Sequence, residues 1–308
     1  MYKGFKKLVW ILLHSFGRLE WFFVKRIFLR KKPLYPPVFI IGLPRSGTTL
    51  FYQLITNYYD VAYITNFENK HYKSPIIAYF LSKVLKKNKK HNSFTSKYGY
   101  SSSAFAPSEA GKVWSKWFDK KQAYVQLDSF SHKSRTNFYT FITAWTNIAK
   151  KPLVIKNLRF GQRIKLIKEL FPNSLFIIVK RNPFFTLQSV YLSRNNMVED
   201  LKDWCTNNKG LCSEDKLILA YNILNQIKET FDKDLKLFTK DRILELNYED
   251  LCDNPQETAM EIKALFTKHN LRITFDELPQ DIEIKCSNKV RVSGTLAERL
   301  NKIISNDG

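Results

Sequence analysis

Along this chain, short unbroken apolar runs alternate with segments whose apolar residues recur at helical spacing. Val38–Gly42, the run "LVIK" at 153–156 and "SLFIIVK" at 174–180 read as buried strands. "RILELNYEDL" at 242–251 reads as a last strand and a turn, and Val61–Thr65 is a further strand candidate. Helical periodicity fills the intervals: Thr48 to Asn57, the stretch through Leu170, a helix opened by Pro183, residues 213–236, Pro255 to about His269, and a tail from Thr295. Residues 70–150 differ, being mostly helical in pattern and rich in Lys, Ser and aromatics. Strands that alternate with helices and are apolar on both faces imply a parallel sheet covered on each side. The expected fold is therefore α/β, a P-loop-type three-layer arrangement with a central parallel β-sheet flanked by helices. A helical insert and an N-terminal amphipathic helix complete it.

That N-terminal helix falls in residues 3–32. Leu8, Val9, Leu12, Leu13, Phe16, Leu19 and Phe23 recur at helical spacing, with nine Lys and Arg against the single Glu20. Two placements follow: on an anionic membrane surface, or docked on the chain's own domain by its apolar face. The apolar run is too short to span a bilayer and lacks a small-residue cleavage site, so a cytoplasmic location is expected, peripheral to a membrane if the first placement holds. Residues 1–34 are read as a basic arm and 35–308 as one domain, with 70–150 as a helical insert.

Charge adds a constraint. Fifty Lys and Arg against 28 Asp and Glu leave a net +22, which suits anionic partners. The 44% apolar share excludes a disordered chain. Four cysteines without a CxxC pair give no metal or redox motif; Cys205 and Cys212, flanking a turn-like hexapeptide, are expected to be free thiols, with a bridge between them as the alternative in an oxidising compartment.

The chemistry concentrates at the ends of the apolar runs, where ligands sit in such folds. "GLPRSGTT" keeps the glycine spacing of a phosphate-binding loop, Gly42 and Gly47, with Thr49 at the hydroxyl position. Its lysine is replaced by Thr48, and Arg45 supplies a cation instead. Successive N–H groups and the following helix N-terminus still favour an anion. The other runs end in Lys156 and Lys180–Arg181, where a magnesium-dependent enzyme would place an acid. In "VKRNPFFTLQSVYLSR", Arg181 closes a strand, Ser189 lies two turns into the next helix, and Arg194 follows. An arginine fork and a helix serine on one side suit a second phosphate.

The loop "GLPRSGTTL", the Arg181/Ser189 pair, "LNYEDL" and "DNPQETAMEIKALF" resemble the PAPS-dependent sulfotransferase superfamily over roughly residues 36–270, particularly bacterial members and the tyrosylprotein and glycan enzymes. The resemblance implies 3′-phosphoadenosine 5′-phosphosulfate (PAPS) as cosubstrate, with no metal. It places the 5′-phosphosulfate at Arg45, Ser46, Gly47, Thr48 and Thr49, and the 3′-phosphate at Arg181 and Ser189. Relatives also fold a tail over the cofactor, which makes Ser287, Lys289 and Arg291 candidate contacts. It implies a general base after the second strand, for which Glu68 is the natural candidate, with His71 and Glu109 as alternatives. By count the relatives' glutamate falls nearer Asn66 or Phe67. Arg45 would also stabilise charge in transfer.

Lys156 ends its strand toward the site, yet in so lysine-rich a chain it is expected at the surface. Tyr98, Tyr100, Phe105, Trp114 and Trp117 are candidates for stacking on sugar rings, or for core. The expected acceptor is a hydroxyl on a carbohydrate or glycolipid, and nucleic acid is not expected as a partner. Two other readings remain at this level: a P-loop kinase-like enzyme with an altered loop, and a non-enzymatic basic protein of membrane surfaces.

Overall fold

The computed structural model describes residues 15–85, 103–118, 124, 126–193, 197–202, 205, 215–279 and 284–305. Four strands, β1 (Val38–Gly42), β2 (Val154–Lys156), β3 (Leu175–Lys180) and β4 (Ile243–Asn247), form one sheet in the order β2-β1-β3-β4. Every pairing is parallel; Val38 stands beside Val154 on one side and Leu175 on the other. The chain runs from β1 to β2 at one flank, then returns across β1 to β3. The sheet therefore has a switch point between β1 and β3, where an open α/β sheet binds ligands.

Alternation along the central strands builds two cores. Phe39, Ile41, Phe176 and Ile178 face one cluster; Val38, Ile40, Leu175, Ile177 and Val179 face the other. The first core is closed by α6 (His132–Ala149), α7 (Ile164–Leu170), α8 (Pro183–Tyr191) and α10 (Lys216–Leu235), and the second by α2 (Thr48–Tyr58) and α12 (Pro255–Lys268). This is the expected three-layer sandwich. The remaining helices are α1 (Gly17–Phe28), α3 (Asn66–Lys70), α4 (Pro75–Leu85), α5 (Gly111–Trp114), α9 (Met197–Lys202), α11 (Tyr248–Asp253) and α13 (Gly294–Ser305).

Several starts follow from local chemistry. Asn182 accepts a hydrogen bond from Phe184 N, with Pro183 in the first turn of α8, and Asn254 caps α12 in the same way ahead of Pro255. Asp215 caps α10 through Leu217 N and Ile218 N.

One strand expectation changes. Val61–Thr65 is not a strand: Ala62 makes a single parallel bridge to Leu153, and Thr65 an antiparallel one to Pro107. β2 is only three residues long, so its outer edge offers little ladder to extend. Trp114 and Trp117 are core residues, packed among Phe138, Phe141 and Phe160, and are not available to stack on a sugar. Phe105 is half-buried against Phe67, and Tyr98, Tyr100 and Arg194 lie outside the described residues. Cys205 is a free thiol, its pKa pushed up to about 11 by burial; Cys212 also lies outside the described residues.

α1 packs on α6. Its inward residues are Glu20, Val24 and Phe28, one helical turn apart. Phe16, Leu19 and Phe23, the apolar spacing seen in the sequence, point away from the body and are exposed. The helix docks by a different face from the one the sequence pattern suggested. No described helix is long and apolar enough to cross a membrane.

Candidate active site

The loop between β1 and α2 owes its shape to two backbone positions. Gly47 sits at φ 91° and Arg45 at φ 71°, both in the left-handed region. Close packing reinforces the choice of glycine. A Cβ on Gly42 would lie 2.5 Å from Val179 O, and one on Gly47 would lie 2.3 Å from a ring carbon of Tyr248. Left-handed residues in such a loop turn successive N–H groups inward into a concave anion nest, at the N-terminus of α2. The Ser46 side chain is buried, and its hydroxyl has no hydrogen-bond partner among the described residues. A buried donor without a partner costs free energy until a ligand supplies one.

The second motif meets the first across the switch point. Arg45 Nε donates to Ser189 Oγ at 2.9 Å, and Arg181 Nη1 donates to Arg45 O at 2.9 Å. Arg181 lies over the Tyr248 ring, its guanidinium carbon 4.6 Å from the centroid. Its Nε and Nη2 donate to Asn288 Oδ1 at 3.0 and 2.7 Å, and Nη2 also reaches Ser287 Oγ at 3.0 Å. Ser287 N donates to Tyr248 Oη at 2.8 Å, and Asn288 Nδ2 donates to Glu249 Oε1 at 2.6 Å. Gln188 holds the same tail from α8: its Nε2 donates to Lys289 O, and its Oε1 accepts from Arg291 N. The tail thus crosses the second motif, and Ser287 touches Arg181. The Lys289 and Arg291 side chains are exposed; only the backbone of each is engaged by Gln188.

On the other flank of the loop, Lys156 departs from the surface position expected of it. It is 3% exposed, bonds Glu109 Oε1 and donates to Thr49 Oγ1 at 3.1 Å. Glu109 is fixed in turn, its carbonyl accepting from Asn157 Nδ2 at 2.9 Å and Trp114 Nε1 at 2.7 Å. Its side chain is about a third exposed (29%) and lines a pocket of about 410 Å³ with Asn66, Ser108, Asn157, Arg159 and Arg163.

Glu68 has a different setting. It is buried, and its Oε2 accepts from both Thr65 N and Thr65 Oγ1 in a capping box that starts α3. Glu68 lines a second pocket, also about 410 Å³, with Tyr63, Tyr79, Lys83 and Lys151. Tyr52 lies within electrostatic reach of both carboxylates; burial above all, with these charges and Tyr63, raises its phenol pKa well above the usual value. His71 is buried against the Phe67 ring. Of the three base candidates, Glu109 is the one bonded to a residue that contacts the loop.

The sequence pointed to the loop, Arg181, Ser189 and Ser287. It missed Tyr248, Asn288, Glu249 and Gln188 as supports. Tyr248 stood in plain view in "LNYEDL", but its role depends on β4 lying beside β3, and the spacing alone does not carry that.

The comparisons agree with this geometry. A model of the sulfotransferase family matches residues 36–266. Among solved structures, the sulfotransferase STF1 of Mycobacterium tuberculosis is similar at 14% identity and a TM-score of 0.52, over 83% of this chain and 74% of that one. The sulfotransferase STF9 of Mycobacterium avium is similar at 13% identity and a TM-score of 0.53, over 90% and 70%. At such identities the likeness is one of fold. A comparison with curated proteins finds no match. With the family model covering most of the chain, from the first strand through α12, the protein belongs to the sulfotransferase family.

Proposed function

We propose that the protein transfers a sulfuryl group from PAPS to an acceptor hydroxyl carried by a carbohydrate or glycolipid. The observation that carries this reading is the single polar cluster of Arg45, Ser189 and Arg181, which joins two anion-binding motifs across the switch point. The described residues suit the cosubstrate. Ser46 offers a buried unpartnered hydroxyl, and Gly42 and Gly47 let the loop close tightly on Val179 and Tyr248. Arg45, Ser46, Gly47, Thr48 and Thr49 hold that group; Arg181, Ser189, Ser287 and Arg291 hold the 3′-phosphate. Bound PAPS supplies an activated sulfuryl group and a phosphate leaving group.

The chain's own residues then do three things. The loop N–H groups and Arg45 stabilise charge that develops on the phosphate side. Lys156, held between Thr49 and Glu109, presents a cation to the same edge. Glu109 accepts the acceptor's proton, for which its partial exposure in a polar pocket is suited. This favours Glu109 over Glu68, whose carboxylate is engaged in starting α3, and over His71.

Adenosine 3′,5′-bisphosphate should raise the melting temperature without Mg²⁺, and ATP should do so far less. Equal shifts, or none, would sink the assignment. For the base, Glu109→Gln should lower transfer by about 10²–10⁴-fold while the bisphosphate shift persists. Glu68→Gln should retain most turnover; the reverse pattern hands the role to Glu68.

A further inference from the structure

Exposed apolar residues are unevenly distributed on this protein. Among the described residues, sixteen large hydrophobic side chains are exposed, and eleven of them fall between Phe16 and Leu34 or between Phe80 and Leu85. On α1 the exposed set is Phe16, Leu19, Phe22, Phe23 and Ile27, which share one helix face at the i, i+3, i+4 spacing. On α4, Phe80 and Val84 are one turn apart, as are Leu81 and Leu85, and Val84 is 81% exposed.

The two helices form one assembly. Glu20 Oε2 accepts from Ile77 N at 2.8 Å in the first turn of α4, and Gly17 lies so close to Lys73 that a Cβ would come 2.6 Å from its carbonyl. Both also rest on α6, α1 along its length and α4 through Tyr79 against Trp145. Their apolar outer faces are what remains after that packing.

The exposed charge carried by these two helices has one sign. Arg18, Arg26, Arg30, Lys31 and Lys32 are exposed on or just after α1, and Lys83 is exposed on α4. The one acid in either helix is Glu20, and it is turned inward. Aromatic and aliphatic side chains rimmed by lysine and arginine, with no exposed carboxylate on either helix, match the boundary between acyl chains and anionic headgroups. A second copy of this chain would bring the same basic rim against it.

We propose that the outer faces of α1 and α4 dock this protein on an anionic lipid bilayer, with α1 lying in the plane of the interface. The docking is independent of the sulfuryl-transfer reading.

The test is cosedimentation of the full chain with phosphatidylcholine vesicles, with and without phosphatidylserine. Binding should require phosphatidylserine and weaken with added salt. Replacing two of the exposed aromatics, Phe22→Ser with Phe23→Ser, should weaken it about a hundredfold, since each buried ring is worth about tenfold or more. Arg26→Glu with Arg30→Glu should also weaken it, which guards against a folding defect in the first pair. The melting shift given by adenosine 3′,5′-bisphosphate should be unchanged in both, so failure here is separable from failure of the cofactor assignment. Equal binding to neutral and anionic vesicles, or variants that bind like the parent, would overturn the proposal. So would self-association in solution that the aromatic pair abolishes, because a second copy would then be the occupant.

Discussion

Gly47 meets two demands that no other residue satisfies together: a left-handed backbone and a ring carbon of Tyr248 where its Cβ would be. The left-handed region alone costs an alanine about 1–2 kcal/mol. The Tyr248 ring also supports Arg181, so displacing it disturbs both motifs. Gly47→Ala should therefore weaken adenosine 3′,5′-bisphosphate binding at least about tenfold by calorimetry. Gly111→Ala is the control, since a Cβ there meets nothing within 4 Å, and its affinity should match the parent. The sequence disclosed Gly47 because loop spacing is a local property. It disclosed Arg181 and Ser189 for the same reason. It did not disclose the burial of Lys156, because that depends on Glu109, 47 positions away, folding over the end of β2.

At the scale of elements, the tie between α1 and α4 carries a pH dependence. Burial raises the Glu20 carboxyl from its ordinary 4.5 to about 7, against the lowering effects of the Ile77 and Ile76 N–H groups and of Lys116. A raised carboxyl pKa means that the folded chain keeps a proton which the unfolded chain has released. Its contribution to stability is therefore greatest below the ordinary value and declines as pH rises toward 7. Glu20→Gln keeps an acceptor for Ile77 N without a titrating charge. The melting temperature of this variant relative to the parent should rise between pH 5 and pH 8; a constant difference would show that Glu20 does not titrate in that range. Element positions were largely legible, since β1, β3, α8 and α12 announce themselves by apolar runs and prolines. Val61–Thr65 was not, because its composition suits a strand but strand formation needs a partner edge, and β2 offers three residues.

Over the whole molecule, the parallel sheet places its chemistry along one edge. β1, β2 and β3 end at Gly42, Lys156 and Lys180, β4 leads into Tyr248, and these four ends deliver the loop, the Glu109 partner, Arg181 and its platform. The sheet was foreseeable from runs that are apolar on both faces. The outward turn of the Phe16, Leu19 and Phe23 stripe was not. Periodicity identifies an apolar face but not the surface it meets, and α1 carries an apolar residue on nearly every side. The +22 charge likewise told of anionic partners without locating them. The structure puts arginines at the switch point and a basic rim around α1 and α4.

The tail across β3 has a thermodynamic consequence. Arg181 already directs its donors at Asn288, Ser287 and Arg45 O. An incoming anion therefore trades one set of hydrogen bonds for another instead of adding a full new set. Affinity at that position is then a difference between two occupied states. On the proposed reading, such an exchange favours turnover, because the tail groups that Arg181 gives up to an anion are the ones that replace it.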